Sequence, residues 1–265
     1  MLALLYQLKH LLYLDAMTTT GRTLGEEMAA ATLLEVPQEL SCVQPFDKPL
    51  HPSSSLVVLK GNIAPGGAVM KASASKDRRL LSHTGKAVVF AGSVDMANRL
   101  DDPNLEVDAD SVLILQNIGP VGNPGMPEAG MIPIPRKLAE KGVTDMLRLS
   151  DGRMSGTAGG TIVLHISPEA ADPSSILGVI ETGDLVTCDV EKRLLHVDVS
   201  EEELARRVEA RHAIITGSDS TAPWATRDET RGYRGLYLRS VNQAQYGTDF
   251  DFLTAAGPKS ARENV

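Results

Sequence analysis

From residue 56 onward the chain alternates short apolar runs with stretches rich in glycine and proline. Leu56–Lys60, Lys86–Phe90, Ser111–Leu115, Met146–Leu149, Thr161–Ile166, Leu185–Val190 and Leu194–Val199 have the length and β-branched content of buried strands. The last two read as a hairpin around Glu191-Lys192-Arg193, and Ala68-Val69-Met70 as an apolar turn after the first strand. Helical spacing is predicted over Ser93–Leu100, with Ser93 as its cap, and over Arg136–Lys141, with Gly142 closing it. It recurs over Glu201–Ala213, where Ser200 is the N-cap and three glutamates fill the first turn, and over Tyr233–Val241. About seven strands against four or five helices make a mixed α/β domain in which strands dominate.

The first 55 residues follow a different pattern. Apolar positions in residues 1–14 suit a helix packed on another surface, and Thr18–Glu27 offers an N-cap threonine and acidic residues for a short helix reaching about Leu34. Prolines 37, 45, 49 and 52 and the run Ser53-Ser54-Ser55 then predict a linker. The expected organisation is a helical and Pro-rich arm over 1–55, a compact domain over 56–257 and a frayed tail over 258–265, with polar residues 217–230 a mobile stretch within the domain.

Two loops stand out. Gln116–Gly130 is too rich in glycine and proline for a helix or a central strand, so it must leave a strand end as a long ordered loop. Ser150–Thr161 joins two apolar runs and holds Asp151, Ser155 and Thr157 among glycines 152, 156, 159 and 160. A tight turn satisfied by its own Asp and Ser side chains accounts for this second loop without any chemistry.

Composition narrows the classes. With 42% hydrophobic and 23% charged residues this is an ordinary globular chain. Aromatics make up 4%, too few for a base-stacking platform, and a net charge of −8 disfavours nucleic acid or an anionic membrane while leaving room for a cation. No run of eighteen apolar residues spans a membrane, and residues 1–14 lack the basic start of a signal peptide. Cys42 and Cys188 form neither a ligand pair nor a disulfide framework. A cytoplasmic location is expected, with the mitochondrion as the alternative.

Three segments carry the reading further: Gly61-Asn62-Ile63-Ala64-Pro65-Gly66-Gly67-Ala68-Val69-Met70-Lys71, Gly122-Asn123-Pro124-Gly125-Met126-Pro127-Glu128, and Ser150-Asp151-Gly152-Arg153-Met154-Ser155-Gly156-Thr157. In this order and spacing, with the helix start at Val199–Arg207, the chain from about residue 12 to 255 resembles the C-terminal half of the dihydroxy-acid and phosphogluconate dehydratase family. Met154-Ser155-Gly156-Thr157 and the ending Asp249–Leu253 are more similar to the sugar-acid (arabinonate or xylonate) branch than to the dihydroxy-acid dehydratases of branched-chain amino-acid synthesis.

The resemblance implies a swivelling β/β/α domain with a β-barrel-like core and flanking helices. It implies loss of water from a 2,3-dihydroxy sugar acid to give a 2-keto-3-deoxy acid. By the same resemblance Ser155 takes the α-proton, Thr157 shares its turn, and Glu128 is a Mg²⁺ ligand, while Lys71 is a candidate for the substrate carboxylate against the alternative of a surface lysine. Asp151 and Arg153 are expected to hold the turn, and His83, His165 and His196 to be structural. The family's [2Fe-2S] or [4Fe-4S] cluster is expected on an N-terminal domain beyond this chain, so the chain is expected to be inactive alone and to form oligomers or pair with that domain or a full-length paralogue. The alternative is a catalytically dead binding, regulatory or structural partner of such an enzyme.

Overall fold

The structure is a computed structural model that describes residues 2–31, 43–49, 55–156, 159–216 and 231–253. The chain divides into two compact units, Met1–Ser54 and Ser55–Val265. In the first, helix α1 (Leu2–Gln7) and a 3₁₀ turn (Lys9–Leu11) precede α2 (Leu24–Ala30). Thr23 is the threonine that caps α2: its Oγ1 accepts the Glu26 N–H at 3.2 Å while Glu26 accepts the Thr23 N–H at 2.8 Å, a reciprocal capping box. The helix ends at Ala30, and the proline-rich stretch beyond it falls largely outside the described residues. Leu11, Tyr13 and Met17 are exposed in this unit.

The second unit is mixed α/β, built on a nearly closed, barrel-shaped sheet of eight strands. The strands are β1 (Leu56–Leu59), β2 (Gly67–Lys71), β3 (Ser82–Phe90), β4 (Val112–Leu115), β5 (Arg148–Ser150), β6 (Ile162–Ser167), β7 (Leu185–Asp189) and β8 (Leu194–Val197), in spatial order β1-β2-β6-β5-β4-β3-β7-β8. Strands β3, β4, β5 and β6 run parallel, and the pairs β1–β2 and β7–β8 flank them in antiparallel register. The residues read as an apolar turn, Ala68–Met70, are strand β2, which raises the count to eight. Strand β3 begins at Ser82 rather than Lys86, because its polar first half pairs with β7 and its apolar second half with β4.

Period-2 alternation sorts side chains between two cores. Val112 and Ile114 of β4 point into the barrel with Leu59, Met70, Leu149 and Val163, whereas Leu113 and Leu115 point outward to Phe90, Ile132, Leu138 and Met146. That outer core is covered by α3 (Ser93–Arg99) and α4 (Arg136–Ala139). Ser93 does not cap α3. Gly92 is the N-cap, and Asp95 holds the first turn by accepting the Ala91 N–H at 3.0 Å. Helix α4 stops at Ala139, and Gly142 follows in the left-handed region (φ 88°), its neighbour Val143 donating back to the Leu138 carbonyl at 3.1 Å. Helices α5 (Glu201–Thr216) and α6 (Gly232–Ser240) complete the described elements, with Ser200 capping α5. The stretch 217–230 and the tail lie outside the described residues.

The barrel closes where β1 runs out. Lys60 donates to the Arg193 carbonyl and accepts the Leu195 N–H, both at 2.8 Å. The Asn62 side chain then takes the place of a peptide group: its Oδ1 accepts the Val197 N–H at 2.8 Å and its Nδ2 donates to the Val197 carbonyl at 2.9 Å. Gly61 permits this approach, since a Cβ there would land on the Leu195 carbonyl oxygen. Asn62→Ala should therefore strand two main-chain groups of the fully buried Val197 and destabilise the chain by about 2 kcal/mol. Thermal denaturation checks it. An unchanged midpoint would mean that the closure contributes nothing to stability.

Candidate active site

Parallel strands place their carboxyl ends on one edge, where connecting loops collect. Loop 116–130 leaves β4 there, the segment from Pro168 leaves β6, and Ser150–Thr161 begins there at the end of β5. Because β5 and β6 are parallel, with Arg148 opposite Ile162, this last connection is not the tight turn its glycines suggested. It has to travel from the carboxyl edge back to the amino edge in eleven residues, with no helix among those described.

Two buried aspartates pin its ends. Asp151 is fully buried and accepts the N–H groups of Asn117 (3.1 Å), Ile118 (2.9 Å) and Ala170 (2.7 Å), so it also fastens its turn to two other segments. At the other end Asp145 accepts the N–H groups of Lys76 and Thr161 at 2.9 Å and the Thr161 hydroxyl at 2.8 Å, and pairs with buried Arg148 at 2.9 Å. Burial pushes Asp145 upward, but these donors and Arg148 outweigh it and hold the carboxyl below its ordinary value.

Between the anchors, Arg153 ties the connection to loop 116–130. Its carbonyl accepts the Gly130 N–H at 2.8 Å and its Nε donates to the Met126 carbonyl at 2.6 Å. Glycines are needed at this contact: a Cβ on Gly152 would come within 2.6 Å of Ile118 Cγ2 and 3.3 Å of the Gly130 Cα. Ser155 is half-buried two residues past Arg153, and Glu128 is exposed two residues before Gly130. The tie thus sets the loops bearing these two residues side by side. Among the described residues nothing lies within 4 Å of where a Cβ on Gly156 would stand.

Lys71 is exposed at the end of β2, which runs antiparallel to β6, and so lies toward the amino edge, where Gly160 donates to the Ala74 carbonyl at 2.9 Å. It stands by the downstream end of the serine connection. Thr157 falls outside the described residues. His83 bonds the Asp110 carbonyl at 2.8 Å. His165, half-buried with φ 52°, marks a bend in β6 where its N–H reaches the Gly152 carbonyl at 3.0 Å; burial, and then Arg153, holds its imidazole below the ordinary value.

For metal, the fit is partial. Glu128 offers the hard carboxylate oxygen that Mg²⁺ prefers, but no group of three His, Cys, Asp or Glu side chains assembles among the described residues. Cys188 is fully buried in the barrel, where burial, and then the charge of Asp189, pushes its thiol up to about 12; Cys42 is outside the described residues.

Sequence reasoning missed Glu169, which is 1% exposed just after β6 and lies close to Asp151. Its only signal was a carboxylate following an apolar strand, which describes many surface acids equally well. Burial, with the charge of Asp151 added, pushes Glu169 up to about 7, and burial pushes Asp151 to about 6 against its three main-chain donors. The cation facing both is Arg211, whose guanidinium donates to the carbonyls of Ala170 and Asp172. Both carboxyls sit above their ordinary values, so the folded chain keeps protons that the unfolded chain has released. Their contribution is full below the ordinary carboxylate range and is lost as pH rises through about 6 and about 7. The denaturation midpoint of the wild type should fall across that window, and Glu169→Gln should flatten the upper part of the fall. A midpoint that rises there rejects the assignment.

Residues 41–248 match the family model described as dihydroxy-acid/6-phosphogluconate dehydratase C-terminal. The chain is 43% identical over 265 residues to the putative dehydratase IlvD1 of Rhizobium meliloti, covering 99% of this chain and 43% of that protein. It is 42% identical over 245 residues to the L-arabinonate dehydratase of Rhizobium leguminosarum, covering 92% and 39%. It is also 42% identical over 258 residues to the 6-deoxy-6-sulfo-D-gluconate dehydratase of Pseudomonas putida, covering 96% and 41%. The chain therefore spans about two fifths of the length of these relatives. With its match over most of its length, the chain belongs to the dihydroxy-acid/6-phosphogluconate dehydratase family, as a C-terminal domain of that family.

Proposed function

We propose that this chain supplies the proton-accepting side of a dehydratase site for 2,3-dihydroxy sugar acids. The observation that carries the reading is the tie between Gly130 and Arg153, which sets the loops of Glu128 and Ser155 side by side at the carboxyl ends of β4 and β5. The substrate class is drawn from the L-arabinonate and 6-deoxy-6-sulfo-D-gluconate dehydratases, both 42% identical to this chain.

In this reading the Ser155 alkoxide takes the proton from C2 of the acid. The C–H electron pair becomes the C2=C3 double bond, and the C3 hydroxyl leaves with the C3–O pair, taking a proton from solvent to become water. The resulting enol tautomerises to the 2-keto-3-deoxy acid, and Ser155 returns its proton to solvent. A serine alkoxide needs nearby donors and positive charge, which main-chain N–H groups of the glycine-rich turn are suited to provide. Glu128 would be one ligand of a Mg²⁺ ion, whose charge when bound steadies the substrate carboxylate and 2-hydroxyl. Thr157 is assigned to the same turn as Ser155, and Lys71, at the amino edge by the downstream end of that connection, is the further candidate for the substrate carboxylate. Among the described residues Cys188 is the single thiol, too few to hold an iron–sulfur cluster.

The remaining ligands and the rest of the pocket are assigned to polypeptide matching the part of the relatives that this chain does not cover. The exposed Leu11, Tyr13 and Met17 are offered to the same partner or to a second copy of the chain. Combining the chain with the uncovered part of the Rhizobium leguminosarum L-arabinonate dehydratase should yield arabinonate dehydration. Ser155→Ala should lower turnover on the order of a thousandfold with little change in melting temperature. Glu128→Gln should instead be partly rescued by raised Mg²⁺. A Ser155→Ala hybrid that turns over within a few-fold of wild type would sink the assignment. A wild-type hybrid without any activity would favour a non-catalytic partner.

A further inference from the structure

Loop 116–130 is held at its start by Asp151 and in its middle by Glu169. Both Glu169 oxygens lie 2.9 Å from the Val121 N–H donor, and Oε2 also accepts the Gly122 N–H at 2.7 Å. A Cβ on Gly119 would come within 2.7 Å of the Glu169 side chain, so the loop wraps closely around this carboxylate. On its other flank stands Gln243, just beyond α6. The Gln243 Nε2 donates to Glu169 Oε1 at 2.9 Å, and its Oε1 accepts the Glu169 N–H at 2.8 Å. The same C-terminal segment touches the loop twice more: Thr248 Oγ1 donates to Met126 Sδ at 3.6 Å, and the Tyr237 hydroxyl lies against Gly125.

We propose that Glu169 and Gln243 are positioning residues for the candidate site. Their paired side chains clasp segment 241–250 to loop 119–126 and so fix where Glu128 stands. Neither residue touches the reacting atoms. The functional meaning of the clasp rests on the reading of Glu128 given above, whereas the clasp itself concerns this chain alone.

The hydrogen-bond directions make the claim specific. Val121, Gly122 and Gln243 Nε2 all donate toward Glu169, while the Glu169 main chain donates toward Gln243. Glu169→Gln turns one of the accepting oxygens into a donor. If its amide faces Gln243 Nε2, two donors meet; if Gln243 flips to relieve this, its Nε2 meets the Glu169 main-chain N–H instead. Gln243→Glu alone brings a second carboxylate against the first. The reciprocal pair Glu169→Gln with Gln243→Glu restores the directions across the clasp: the new glutamate accepts both the residue-169 N–H and the new amide, whose oxygen, at the Oε2 position, keeps Gly122 and one of the two contacts with Val121. A residue serving only as filler would show no such rescue.

The test is amide hydrogen exchange on the full chain, read at Val121 and Gly122 against β4 as an internal standard. Each single variant should exchange faster at these two amides, on the order of tenfold, with β4 unchanged, and the double variant should return close to the wild-type rate. Unchanged exchange in the single variants, or a double variant as fast as the singles, overturns the clasp. Should Glu169→Gln not fold, Gln243→Ala leaves the carboxylate in place and must still speed exchange at Val121 and Gly122; failure to do so also overturns it. In the hybrid enzyme, the half-saturating Mg²⁺ concentration should rise in the singles and recover in the double. Exchange as expected with an unmoved Mg²⁺ dependence would reject the link to Glu128. Absence of activity in the wild-type hybrid would reject the dehydratase reading instead, and the exchange data would stand.

Discussion

The parallel pairing of β5 with β6 is the constraint from which the rest of the site follows. A hairpin would have let the glycine-rich residues fold back in a compact turn. Parallel register forbids that and sends residues 151–161 from one edge of the sheet to the other. A crossover of this kind is normally spanned by a helix that satisfies its own main chain. No helix lies among its described residues, and peptide groups there find partners elsewhere: Thr161 donates to Asp145, Gly160 to the Ala74 carbonyl, and the Arg153 carbonyl accepts from Gly130, while the Asp151 side chain fastens the start to Ile118. The serine connection is therefore a piece of main chain suspended between two buried carboxylates.

The barrel explains why those carboxylates can be rigid. Strand β4 is buried on both faces, contributing Val112 and Ile114 to the interior and Leu113 and Leu115 to the outer core. Lys60 and Asn62 close the sheet onto β8, so the barrel has little freedom to splay. Loops leaving β4, β5 and β6 start from strand ends that are fixed by packing on two sides. Side chains projecting from those ends, such as Ser150 and Asp151, inherit that precision.

Much of this was legible from residues alone. Strands with period-2 or continuous apolar patterns were recognised because burial leaves a mark on composition, and Gly142 announced the end of α4 because few other residues tolerate its conformation. What escaped was long-range. Ala68–Met70 looked like a turn because three apolar residues between glycine and lysine carry no period, and only pairing with β1 and β6 makes them a strand. Ser93 looked like a cap because its neighbours are helical, but Asp95 bonds the Ala91 N–H and leaves the cap to Gly92. Asp151 was read as holding its own turn, whereas its partners lie 19 to 34 residues away. Glu169 left only the weak mark of a carboxylate after an apolar strand, because a carboxylate that accepts main-chain N–H groups places no demand on the identity of its donors.

That last property bears on why charge is buried here. Placing Asp151 and Glu169 in the interior costs free energy, as their raised proton affinities record. Leucine at either position would avoid the cost of the charge but would strand the N–H groups of Asn117, Ile118 and Ala170, or of Val121 and Gly122. An apolar contact would also be satisfied by many arrangements of a glycine-rich loop, since methyl groups impose no direction. A carboxylate accepting N–H groups from separate segments is satisfied by few. The burial of these charges is thus better understood as selecting one loop conformation among many than as adding to overall stability, and the selected conformation is the one that holds the Glu128 and Ser155 loops together.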